Sequence, residues 1–106
     1  MAITNTSLQD SAAQSIFTSA GTHGDVVTVM YLCNIDTVAQ QANVFLVPTG
    51  DSADPALNII YSNVSIDAGD TLVIDMEKIV LVVGDSVQAN CSSSDTIIAT
   101  VSSLAV

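Results

Sequence analysis

The sequence predicts an all-β chain: a single antiparallel β-sandwich of about eight short strands, jelly-roll or immunoglobulin-like in its connections, behind a polar N-terminal arm. Three observations lead there. Runs rich in β-branched and aromatic residues recur at a spacing of about ten residues. Turn signals separate them, for four of the five glycines are followed by aspartate, at Gly24-Asp25, Gly50-Asp51, Gly69-Asp70 and Gly84-Asp85. Glycine supplies φ > 0 at a corner and aspartate accepts a hydrogen bond from nearby backbone. Finally, several runs alternate apolar and polar residues with the period of a half-buried strand.

Residues 1–14 are polar, with Ile3 and Leu8 the only sizeable apolar groups, and read as an arm that is loose or draped on a neighbour. Within them, Ser11-Ala12-Ala13-Gln14 has the composition for one helical turn but no cap. The sandwich domain is expected over 15–106. Its first run is Ile16-Phe17-Thr18, its longest Val26 to Ile35. Asn43 to Val47 follows and is stopped by Pro48, whose missing N–H ends a ladder. Leu57 to Ile66, Thr71 to Asp75, Ile79 to Val83, Ser86 to Cys91 and Thr96 to Val101 complete the set.

Alternation assigns faces. Val87, Ala89 and Cys91 point one way against Ser86, Gln88 and Asn90; Ile97, Ala99 and Val101 oppose Thr96, Thr100 and Ser102. In the long run, strict alternation puts Val27, Val29, Tyr31, Cys33 and Ile35 on the inward face and Met30 and Leu32 on the other. Ile79 to Val83 is apolar on both sides too. A sandwich of this size has one core, so two-sided apolar strands need a second covering, most simply another subunit. The candidate partner-binding residues are therefore Ile3 and Leu8 of the arm and Met30, Leu32, Val80 and Val82 of the two-sided strands.

Composition excludes several functions. One lysine, no arginine and one histidine stand against ten aspartates and one glutamate, a formal charge of -10, while 49% of residues are hydrophobic and only 11% charged. Nucleic-acid binding requires many Lys/Arg contacts to phosphates, so it is not expected. Cationic clamping of phosphoryl groups is not expected either. Residues 1–6 lack the basic and apolar regions of a signal peptide, and no apolar run approaches the ~18 residues of a membrane helix, so no membrane association is expected. The acids also repel one another. Some 55 pairs at a typical ~20 Å, each worth ~0.2 kcal/mol, total on the order of 10 kcal/mol unscreened and about 1 kcal/mol at physiological salt. The melting temperature is therefore expected to rise as NaCl is added in a thermal-denaturation series; a flat or falling curve would mean the carboxylates are paired or metal-bound.

Residues able to carry chemistry are few. Cys33 and Cys91 fall on inward faces 58 positions apart, and two free buried thiols are expected, a disulfide being the alternative. His23 lies in a Gly-Thr-His-Gly turn without a nucleophile at a recognisable spacing, and reads as solvated. Glu77 and Lys78 read as a surface pair, and Ser92-Ser93-Ser94-Asp95 as a hairpin loop. A calcium loop wants at least about three converging carboxylates, whereas the loop from Gly50 to Pro55 offers only Asp51 and Asp54 with no bidentate Glu after them, so corner chemistry is the reading of the Gly-Asp pairs. No cofactor, metal or catalytic residue is expected, and the chain does not read as an enzyme.

The runs Val29-Met30-Tyr31-Leu32-Cys33-Asn34, Asn43 to Gly50, Ser65 to Leu72 and Val83 to Ala89, with the terminal strand, resemble small β-sandwich virion structural proteins of tailed bacteriophages, closest to those of marine cyanobacteria-infecting myoviruses. The likeness covers about residues 15–106 and rests on strand-and-corner patterns. It implies a non-enzymatic virion component, foremost a capsid decoration (cement) protein that stabilises the outer head shell. The alternatives are a tail, neck or fibre component, or a receptor- or carbohydrate-binding module. Implied partners are the major capsid protein or other virion proteins, and further copies of the chain in a homo-oligomer such as a trimer. Assembly in the host cytoplasm would fit reduced thiols. On this reading, removing residues 2–12 weakens attachment and leaves the sandwich folded.

Overall fold

A computed structural model describes residues 2–20 and 22–106, with the backbone alone at 76–78. Its eight strands are β1 (Ala2–Ser7), β2 (Gln14–Thr18), β3 (Asp25–Asn34), β4 (Gln40–Val47), β5 (Ile59–Ile66), β6 (Thr71–Leu81), β7 (Ser86–Cys91) and β8 (Ile97–Ala105). They form two four-stranded sheets packed face to face: sheet I in the order β1-β8-β3-β6, sheet II in the order β2-β7-β4-β5. All pairings are antiparallel, and the fold is the expected all-β sandwich. The pairs nest: β4 with β5, β3 with β6, β2 with β7 and β1 with β8.

Between the sheets lies one core. Sheet I sends in Leu8, Val27, Met30, Leu32, Ile74, Ile97, Ala99 and Val101, and sheet II answers with Ile16, Ala42, Val44, Ile66, Val87, Ala89 and Cys91. These are the small, branched side chains that two facing pleated surfaces interdigitate. Truncation of one of the larger ones to alanine typically costs about 2–5 kcal/mol.

The N-terminal segment is not an arm. Residues 2–7 pair with β8 from Ala2↔Ser103 to Ser7↔Ile98, making β1 an edge strand of sheet I. Leu8 then enters the core, its N–H donating to the Ile97 carbonyl and its own carbonyl accepting from Asp95 N–H. Ser11 to Ala13 form no helical turn, and Gln14 already begins β2. Removing residues 2–12 is thus expected to lower the urea midpoint of unfolding sharply, because β8 loses a partner and the core loses a leucine; an unchanged midpoint would refute a structural role for β1.

Two further expectations change. Thr71 to Asp75 and Ile79 to Leu81 are not separate strands but parts of the single β6, with Val82 and Val83 past its end, so the count of eight survives only because β1 replaces the lost one. The serine cluster at 92–95 is not a hairpin loop either, for β7 and β8 lie in different sheets and the segment crosses between them. Its serines fasten that crossing: Ser92 Oγ accepts from Gln41 N–H at 3.0 Å, and Ser94 Oγ donates to Asp10 Oδ1 at 2.8 Å. The Glu77–Lys78 pair lies outside the residues whose side chains are described.

Asp85 knots the opposite end of the sandwich. Its Oδ1 accepts from Thr49 N–H at 2.8 Å, with the Thr49 hydroxyl 2.9 Å away, and its Oδ2 accepts from Val82 N–H at 3.1 Å. The Thr49 N–H is the main cause holding its carboxyl below the ordinary range, with the Thr49 hydroxyl and Val82 N–H adding to it against an opposing effect of burial. A folded-state pKa below the unfolded one gives stability that is present above about pH 4 and lost as pH falls through the folded value. Asp85→Asn is therefore expected to melt below the wild type at neutral pH, with the difference closing in strongly acidic buffer; a gap that persists there would assign the effect to shape rather than charge.

Candidate interaction surface

The two sheets differ in what they show to the outside. On sheet II, register places Asn43 opposite Asn90, Phe45 opposite Gln88 and Val47 opposite Ser86, all pointing away from the core. This face is polar and partly roofed. Phe45 is buried outside the core, in a cleft of about 390 Å³ that it lines with Ala12, Ala13, Ala53 and Pro55. The amides around that cleft are engaged internally: Asn43 Nδ2 donates to Asn90 Oδ1, Asn43 Oδ1 accepts from Asn63 N–H, and Asn90 Nδ2 donates to the Ser11 carbonyl.

The outer face of sheet I is different. Its rows are read from the register across β6, β3, β8 and β1. Val80, Val26 and Leu104 form one row; Asp75, Val29, Ser102 and Ile3 the next. Val73, Tyr31, Thr100 and Asn5 follow, then Thr71, Cys33, Ile98 and Ser7. Apolar side chains thus dominate the β6–β3 half, where Asp75 and Thr71 are the exceptions, and the end row of Val80, Val26 and Leu104, with hydroxyls and an amide toward β1. Val82 and Val106 extend the apolar surface past the sheet's end, where Val106 N–H donates to the Gly24 carbonyl.

A β-bulge decides which residues stand there. The β3–β6 and β3–β8 registers both shift between Val27 and Val29. Against β6 the additional residues lie on β6 itself, between Asp75 and Ile79; against β8 the extra residue is Thr28, which donates its hydroxyl to the Ser102 carbonyl at 3.1 Å. Past it, the strand's faces exchange, so Val27 points inward while Val29, Tyr31 and Cys33 point outward.

Of the six residues anticipated as partner-binding, the structure brings three to the surface and removes three. Ile3, Val80 and Val82 are 69%, 66% and 61% exposed. Leu8, Met30 and Leu32 are 0% exposed, and a core residue cannot also meet a partner. The same bulge corrects the cysteines: Cys91 is buried, but Cys33 is half-buried on the outer face, and both are free. Sequence reasoning missed Val73, Tyr31, Val29 and Leu104. Val73 carried a usable signal, since it alternates with Leu72 and Ile74 in a run apolar on both sides.

Elsewhere, His23 is exposed in its turn. Among the described residues no three His, Cys, Asp or Glu side chains converge as metal ligands would, and no helix is long and apolar enough to cross a membrane. No family model, curated protein or solved structure matches this chain.

Proposed function

We propose that the chain is a non-enzymatic structural protein of a bacteriophage virion, acting as a capsid decoration protein that reinforces the outer head shell. The observation that carries this reading is the uncovered apolar outer face of sheet I. A small sandwich with one core has no internal use for a second apolar face, and such faces mark surfaces that assemble. Decoration works by adding buried area between neighbouring subunits, which requires a rigid module with a water-averse side and a water-loving one. Sheet I and sheet II supply the two sides. The nested strand pairing supports a jelly-roll reading, an architecture used by viral capsid and lectin domains.

Copy number tests it. Quantitative mass spectrometry of purified virions should find this chain at a ratio near that of the major capsid protein. A few copies per particle would move it to the tail, neck or fibre, and absence would remove the virion reading.

A further inference from the structure

We propose that the outer face of sheet I packs against the same face of a second copy, giving a two-fold dimer. The inference rests on reading this face as an assembly surface and names its occupant.

Charge selects that occupant. A basic partner would be met by carboxylates, yet the aspartates lie elsewhere: Asp10, Asp36, Asp51, Asp54, Asp67, Asp70, Asp85 and Asp95 in turns and loops, and Asp25 buried against Ser19. Among the described residues Asp75 is the only acid on the face. Two chains of charge -10 joined here would keep nearly all their charge at the periphery, where salt screens it.

Size agrees. Four strands about 4.8 Å apart, carrying four rows about 6.8 Å apart, give a flat footprint on the order of 400–500 Å². Side-chain relief and the flanking Val82 and Val106 bring the accessible area toward the ~800 Å² per partner of standard interfaces. Sheet-on-sheet packing is also the geometry that the core already uses.

Symmetry follows from having one large patch. A ring such as a trimer needs two different complementary surfaces, whereas a patch that meets itself closes as a pair. The other exposed apolar clusters, Ile35 with Val38 and Leu57 with Ile60, are small and match the sheet face poorly.

Sedimentation velocity of the full chain from about 1 to 100 µM tests this. The wild type is expected at twice 10.9 kDa, its dimer tightening as NaCl is added. Val73→Asp and Val80→Asp, both at exposed positions, should each weaken the dimer at least about tenfold while leaving the far-UV circular dichroism unchanged. Leu57→Asp should leave the dimer intact. Cys33 should react slowly with a thiol reagent in the wild type and faster in Val73→Asp. A single-copy species throughout, a trimer, or a dimer indifferent to both face substitutions would overturn the inference. Dimerisation by a protein absent from virions would leave it standing and remove the virion reading. An abundant virion protein that stays single in solution would do the reverse.

Discussion

Replacing Asn34 with alanine is expected to destabilise the fold by on the order of 3 kcal/mol, a drop in melting temperature of roughly 10–20 °C. Asn34 is fully buried at the end of β3. Its Nδ2 donates to the carbonyls of Val38 and Ile66, both at 2.9 Å, and its Oδ1 accepts from Asp36 N–H at 2.9 Å. Its own main chain bonds to Asp70 O and Gly69 N–H. One side chain thus joins the β3–β4 loop to the end of β5, beside the turn that its main chain holds. Alanine withdraws a donor from two carbonyls and an acceptor from an amide, and it is the unmade bond that costs most. Asn34→Asp sharpens the test. It keeps the shape but turns an oxygen toward the two carbonyls, so burial and those carbonyls would raise the new carboxyl's pKa. That variant should be least stable at neutral pH and recover as acid protonates it; equality with the wild type at neutral pH would show that the amide donors do not matter.

Gly24→Ala is expected to cost as much or more, about 3–4 kcal/mol. Gly24 has φ +92°, and a Cβ there would stand 2.2 Å from the Leu81 carbonyl oxygen. That oxygen belongs to the backbone at the end of β6, so relief requires the strand to move. Gly50→Ala is the natural comparison: φ is similar at +87°, but nothing lies within 4 Å of the added carbon. It should cost only about 1 kcal/mol, the conformational part alone. Urea unfolding of both variants measures the steric part by difference. Equal losses would mean that Leu81 yields freely.

Much of the fold was legible because most strands are half buried. Alternation over Ser86 to Cys91 and Ile97 to Val101 marks the inward residues directly, and the Gly-Asp pairs mark corners. β1 was not legible: an edge strand of threonine, serine and asparagine, with little to bury, differs in composition hardly at all from a loop. β6 looked like two strands because Glu77 and Lys78 interrupt its apolar run while the backbone continues. The bulge at Thr28 was the costliest omission. Nothing local announces it, yet it exchanges the faces of Val29 to Cys33 and with them the membership of the surface. That the chain carries an apolar outer face was readable from the two-sided strands; which side chains form it was not. Asn34 gave no signal either, since an asparagine at a strand end is ordinary until Ile66 arrives from 32 residues away to join its local partners Asp36 and Val38.

The nested pairing also grades the loops that folding has to close. β4 and β5 are neighbours in sequence and can meet as a hairpin, whereas Ala2 must wait for Ser103. Each successive pair closes a longer loop, though the entropy cost grows only as the logarithm of its length. Few native contacts are local, which places such a chain among domains that fold in milliseconds to seconds. During synthesis β1 emerges first and is partnered last. Its short and, Ile3 apart, weakly apolar sequence suits a segment that stays unpaired until β8 is made.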